Sequence, residues 1–130
     1  MRLQAKHTVR AGFIGYLTQA YRAKAVELGK QLIAKFPRSE YSSEAYRILG
    51  ENSYFQQNWN DAIEYLKLYS KNQQQVQRAD MYMLGIANYM VANYTDAITY
   101  LGKVTTEQDS LAQNAYIFIG HANLQQHQAV

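Results

Sequence analysis

The sequence predicts an all-α chain of about seven helices folded back on one another as antiparallel hairpins, and three observations carry that reading. Glycine recurs at a fixed interval of 35 residues, at Gly50, Gly85 and Gly120. Each closes one type of segment, Tyr46-Arg47-Ile48-Leu49-Gly50, Met81-Tyr82-Met83-Leu84-Gly85 and Tyr116-Ile117-Phe118-Ile119-Gly120, in which a large residue leads to an aliphatic one just before glycine. Twelve residues beyond the first two glycines a second type of segment recurs, Trp59 to Leu66 around Ala62 and Tyr94 to Leu101 around Ala97. Apolar residues such as Ala62, Ile63, Leu66 and Tyr69 fall at helical spacing, and no useful stretch alternates with the period of two that a half-buried strand needs.

Taken in order, the predicted helices lie near residues 3–20, 22–36, 40–57, 60–72, 75–92, 95–105 and 109–127. The second runs from Ala25 through Leu32 to Phe36-Pro37, where proline ends it. No clear turn separates it from the first, so the two could run on as one. Gly15 lies 35 residues before Gly50 but only ten before Ala25, so either two residues are missing there or Phe13 holds the glycine position. The next four helices pair through Gln57-Asn58 and Ala92-Asn93, where asparagine suits a short turn because it tolerates left-handed backbone angles and caps the helix that follows. Glycine in one helix and alanine in its partner are expected at the crossing, since small residues let two backbones approach. Ser110, with Gln113 three places on, reads as a capping box that starts the last helix. On that reading Ser110→Ala costs about 1 kcal/mol. The small residue due twelve places after Gly120 falls beyond Val130, so the last helix is expected to act as a cap or as the first half of a truncated repeat, with apolar surface that favours self-association through the terminal helices.

This pattern resembles the tetratricopeptide repeat, whose usual period is about 34 residues. Counting from Ser43 and Arg78, Tyr46 and Met81 match the family's fourth position, Leu49 and Leu84 the seventh, and Gly50 and Gly85 the eighth. Ala62 and Ala97 match the twentieth, and Leu66 and Leu101 the twenty-fourth. The eleventh position, usually tyrosine, is Ser53 or Asn88, with Tyr54 or Tyr89 one place later, and the twenty-seventh, usually alanine, is Tyr69 or Val104. Phe36-Pro37-Arg38-Ser39-Glu40-Tyr41 resembles the slightly longer repeats of bacterial envelope proteins. Gly102-Lys103-Val104 and Asp109 through Tyr116 resemble large repeat proteins of Bacteroidetes. The resemblance implies one tetratricopeptide-like solenoid, an α-α superhelix over residues 1–130, with a degenerate repeat at 1–37, full repeats at 43–76 and 78–111, and the truncated repeat or capping helix at 113–130.

Composition and inventory speak against other classes. With 48% hydrophobic residues, 7 glycines and a single proline the chain has the material for a core and little for linkers. There is no cysteine, hence no disulfide and no thiolate metal site. His7, His121 and His127 have neither helical spacing of four nor a neighbouring carboxylate pair, so no metal site is expected. No phosphate-cradling glycine loop or nucleophile elbow occurs, and Glu40, Glu44, Glu51, Asp61 and Glu64 are scattered over helices in the manner of solvated faces. The expectation is a protein that is not an enzyme and takes no cofactor. Asn93-Tyr94-Thr95 matches a glycosylation acceptor, but its asparagine has a structural reason to stand in the turn. The first residues, MRLQAKHTVRAG, lack the apolar run of a secretory signal. The apolar window Met81 to Tyr94 is too short to cross a bilayer, so no membrane insertion is expected, and either the periplasmic side of a bacterial envelope or the cytoplasm is compatible with the composition. Residues 1–50 hold nine Lys or Arg against three acids and residues 51–130 four against seven, a net +6 facing −3. The basic half is separate from the aromatic positions of the later repeats, which argues against nucleic acid as a partner.

In the family resembled, the first helices of successive repeats line a concave groove. Steps of 35 place there Arg47, Tyr82 and Ile117; Glu51, Ile86 and His121; Tyr54, Tyr89 and Leu124; and Phe55, Met90 and Gln125. Glu51, Ile86 and Tyr89 do not make the lysine and asparagine clamp with which some members grip acidic chain termini. A tyrosine- and methionine-rich surface suits an extended or helical peptide instead. The competing expectation is that the same rings pack between repeats. At the level of function, a protein-interaction scaffold from a longer bacterial array stands against a structural spacer or self-assembly segment.

Overall fold

The computed structural model describes residues 2–37, 40–71 and 76–128, with side chains for 19–37, 41–71 and 76–127. The choice between Gly15 and Phe13 for the glycine position of the first repeat, and the side chain of His7, fall outside the described side chains. Among the described residues there are six helices and no strand: α1 (Arg2–Lys35), α2 (Glu40–Phe55), α3 (Trp59–Lys71), α4 (Arg78–Met90), α5 (Tyr94–Gly102) and α6 (Ser110–Gln128). The all-α class holds, and the count is six where the sequence predicts about seven.

The difference lies in α1, a single helix of 34 residues that spans about 50 Å at the usual rise. The expected break between residues 20 and 22 is absent. Leu17 to Lys24 contains no glycine, proline or asparagine from which to build a turn, and its alanines, glutamine, arginine and lysine all favour the helix. α5 ends three residues early, because the amides of Lys103 and Val104 donate to the carbonyls of Tyr100 and Leu101 at 3.1 and 3.0 Å, tightening the last turn into the loop.

The hairpins α2-α3 and α4-α5 turn in the same way, 35 residues apart. Gln57 (φ 62°) and Ala92 (φ 66°) take the left-handed conformation. The amide of Gln57 donates to Tyr54 O at 2.9 Å and that of Asn58 to Ser53 O at 2.8 Å, matched by Ala92 to Tyr89 O at 3.0 Å and Asn93 to Asn88 O at 2.8 Å. These are paired Schellman closures. The left-handed residue is thus the one before asparagine, and Asn58 and Asn93 open the next helix by accepting at their carbonyls from the amides of Ala62 and Ala97 at 2.9 Å each. Asn93 makes no side-chain cap.

Gly50 and Gly85 sit at crossings as expected, but against a different partner, while Gly120 has nothing over it. A Cβ on Gly50 would lie 2.6 Å from Leu66 Cγ and one on Gly85 2.6 Å from Leu101 Cγ. A leucine one turn beyond the alanine closes over each glycine, while Ala62 and Ala97 are buried outright. Two apolar clusters follow, one of Ala62, Ile63, Leu66, Tyr69, Leu84 and Ala87, the other of Met81, Ile86, Leu101, Val104 and Ala115. Each joins a hairpin to the first helix of the next, and α1 packs on α2 alone among the described elements.

The start of α6 also differs from expectation. Its cap is Asp109, whose Oδ1 accepts from the amide of Ala112 at 2.9 Å, and Ser110 is the first helical residue, exposed. Arg78, at the head of α4, grips the same carboxylate through Nη1 at 2.7 Å and Nη2 at 3.0 Å, and its Nε donates to Val104 O at 3.1 Å. One guanidinium therefore ties α4, the end of the α5 hairpin and the α6 cap together, and it holds the Asp109 carboxyl down at about 2.

Candidate interaction face

The residues that sequence spacing assigns to one face of α2, α4 and α6 separate into three groups. Phe55 (50%), Met90 (50%), Ile117 (54%) and Leu124 (60%) are large apolar side chains at least half exposed. His121 is exposed beside them, its ring 6.3 Å from Phe118. Arg47, Glu51, Tyr54, Tyr82 and Tyr89 are half-buried. Ile86 is buried among Leu101, Val104 and Ala115, and its side chain belongs to the core rather than to a contact surface.

The half-buried aromatics do more packing than presenting. Tyr89 meets Tyr94 edge-on at 5.7 Å and Phe118 at 5.2 Å, joining the α4-α5 hairpin to α6. Tyr54 meets Trp59 at 5.5 Å and Phe55 at 5.6 Å and touches both apolar clusters. Burial raises the hydroxyl pKa of Tyr54 and of Tyr82. Phe55 keeps one face for a cation: the Arg22 guanidinium of α1 sits 4.7 Å from its ring centroid.

Arg47 is not free to clamp a ligand. Its Nε donates to Glu44 at 2.9 Å, its Nη2 also reaches Glu44, and its Nη1 donates to Glu51 at 2.7 Å. The pairing lowers the pKa of Glu44 and raises that of Arg47. Behind this pair lies a carboxylate that spacing rules did not single out. Asp80 is 1% exposed, and among the described residues neither of its oxygens has a well-placed hydrogen-bond donor. Its pKa is pushed up to about 7, first by burial and then by neighbouring Glu51, with Arg47 and Tyr69 acting the other way. The signal was present in the repeat, since the positions 35 residues before and after it hold Ala45 and Ala115.

Clefts elsewhere are shallow and of other character. One of about 530 Å³ lies at the α4-α5 turn against Gln126, and one of about 340 Å³ between α1, α2 and α3 is lined by Lys30, Asn52, Ser53 and Asp61 among others. Neither includes a residue of the predicted groove. Among the described residues no three His, Cys, Asp or Glu side chains gather to hold a metal ion, and no helix is long and apolar enough to cross a membrane. No family model, curated protein or solved structure matches the chain.

Proposed function

We propose that the chain is a tetratricopeptide-type helical solenoid that serves as a protein-interaction scaffold and carries out no catalysis. Its partner is a peptide or protein surface laid along the common face of α2, α4 and α6. The observation that supports this is the recurrence of exposed large apolar side chains at repeat-related positions. Phe55 and Met90, 35 residues apart, are both half exposed, the third position of that step is the polar Gln125, and Ile117 and Leu124, from the steps of Tyr82 and Tyr89, are exposed on α6. Core packing explains buried apolar residues, whereas a group of large exposed ones on helices of the same register has its use in contact with something else. A methionine and a phenylalanine in that group supply adaptable and rigid apolar area respectively. Arg47, already engaged with Glu44 and Glu51, leaves little charge for an acidic terminus, so an apolar segment is the better fit.

Affinity capture tests the proposal. Wild type and Phe55→Ser/Met90→Ser serve as paired baits, and the two are compared for melting temperature as well as for captured protein. A partner held by wild type and lost by a variant of unchanged melting temperature supports the scaffold. Equal capture by both baits rejects this face.

A further inference from the structure

The two joints between hairpin-opening helices, α2 with α4 and α4 with α6, occupy the same register and differ in chemistry. At the first, Arg47 and Glu51 of α2 meet Asp80 of α4, with Tyr69 of α3 beside them. Arg47 donates from Nη1 to Glu51 Oε2 at 2.7 Å and from Nε to Glu44 Oε1 at 2.9 Å. At the second joint the same three positions, 35 residues on, are Tyr82, Ile86 and Ala115, which share one apolar cluster. Asp80 thus puts a carboxyl, 1% exposed, where the other copies of its helix bury the methyl of Ala45 or Ala115. An ionised carboxylate only accepts hydrogen bonds, and among the described residues no donor is well placed on either oxygen. Arg47 is already engaged by Glu44 and Glu51. The protonated carboxyl has what the ionised one lacks, an O–H to give, and the Glu51 carboxylate facing it is an acceptor. Burial and the charge of Glu51 act on that proton in the same direction, raising the pKa of Asp80 to about 7.

We propose that Asp80 is held as the neutral acid and bonds through its O–H to the Glu51 carboxylate, locking the head of α4 onto α2, and that the lock loosens as rising pH removes the proton. When the joint opens, the carboxyl meets water and ionises as an ordinary aspartate does, near 4. Between about pH 4 and 7 opening therefore releases a proton to solvent, and rising pH favours it across that range. Above about pH 7 the carboxyl is ionised whether the joint is open or closed, and the dependence ends. Arg47 keeps its charge throughout. The α4-α6 joint, with Tyr82, Ile86 and Ala115 at these positions, has no counterpart of the lock, so one joint of the molecule responds to pH and the other does not. The lock is a property of the fold and stands or falls apart from the scaffold proposal.

Residue-resolved amide hydrogen exchange between about pH 5 and 8, expressed at each pH as protection relative to the unstructured chain, tests the lock. In wild type, protection in the first two turns of α4 should fall by about tenfold per pH unit up to pH 7 and level off above it, while protection around Ala115 holds. Asp80→Asn keeps a donor for Glu51 but cannot titrate, and its protection should stay level with pH. Asp80→Ala, matching Ala45 and Ala115, should stay level too, and it guards against an asparagine variant that fails to fold. Both variants retain every histidine, so histidine titration is common to all three proteins. Glu51→Gln removes the accepting charge and should move the fall to lower pH. Wild-type protection in α4 that is level between pH 5 and 7, a fall that survives in Asp80→Ala, an equal fall around Ala115, or a Glu51→Gln profile that matches wild type would each overturn the proposal.

Discussion

Asp80 occupies a position that the other two copies of its helix fill with buried alanine, Ala45 and Ala115, and this fixes what its removal should do. Its folded-state pKa of about 7 lies above the value near 4 of an unfolded aspartate, so the native state binds the proton more tightly. The carboxyl is then harmless below about pH 4, and its cost grows as pH rises towards 7 and is complete above it. Asp80→Ala should therefore raise stability by about 1 to 3 kcal/mol at pH 8, with the gain shrinking to nothing near pH 4. Urea denaturation of both proteins at pH 4, 6 and 8 measures this, and a loss of stability at pH 8 would show that the carboxylate has a compensating partner. The left-handed turn residues offer a second case. Ala92 holds φ 66°, where a Cβ is penalised by about 1 to 2 kcal/mol and glycine is not. Ala92→Gly should stabilise by about 0.5 to 1 kcal/mol once glycine's greater unfolded-state freedom is subtracted, read from the shift in denaturation midpoint.

At the scale of elements, three glycines at one spacing have two different surroundings, and the same substitution separates them. Gly85→Leu drives a side chain into Leu101 and should cost about 3 kcal/mol or more, at the upper end of overpacking. Gly120→Leu enters open space and should leave the melting temperature level or raise it, since leucine favours the helix over glycine. Calorimetry of the pair distinguishes a packed crossing from an uncovered one. The α6 cap gives a parallel contrast: Asp109→Ala should lower the melting temperature clearly and Ser110→Ala hardly at all. Because Arg78 depresses the Asp109 pKa to about 2, the support it gives is present above the ordinary aspartate value and is lost as pH falls through the depressed one. The hairpins were readable in the sequence because their glycines, alanines and turn dipeptides repeat. The cap was not, because Ser110 and Asp109 are both good capping residues and the choice depended on Arg78, 31 residues away. The leucine over each glycine was equally hidden, since spacing reports which residues recur and not which of them meet.

For the whole molecule, Arg2–Lys35 forms one long helix because no glycine, proline or asparagine between Leu17 and Lys24 offers a turn, the run-on that the sequence left open beside the expected break. The predicted face was readable only in part. Phe55, Met90, Ile117 and Leu124 are exposed, but Ile86 went into the core and Tyr89 into the join between α4-α5 and α6, because a period of 35 assigns a residue to a helix side without saying how close the next helix comes. The proposed scaffold function rests on these exposed side chains, and one comparison bears on it most directly. Wild type, Phe55→Ser/Met90→Ser/Ile117→Ser and Tyr89→Ala are each assayed for thermal stability and for affinity towards the protein that wild type captures. The triple variant should melt with wild type and bind more weakly by about 2 kcal/mol, roughly 30-fold, and Tyr89→Ala should lose stability first. A triple variant that binds as tightly as wild type would show that the partner, and with it the function, lies on another face.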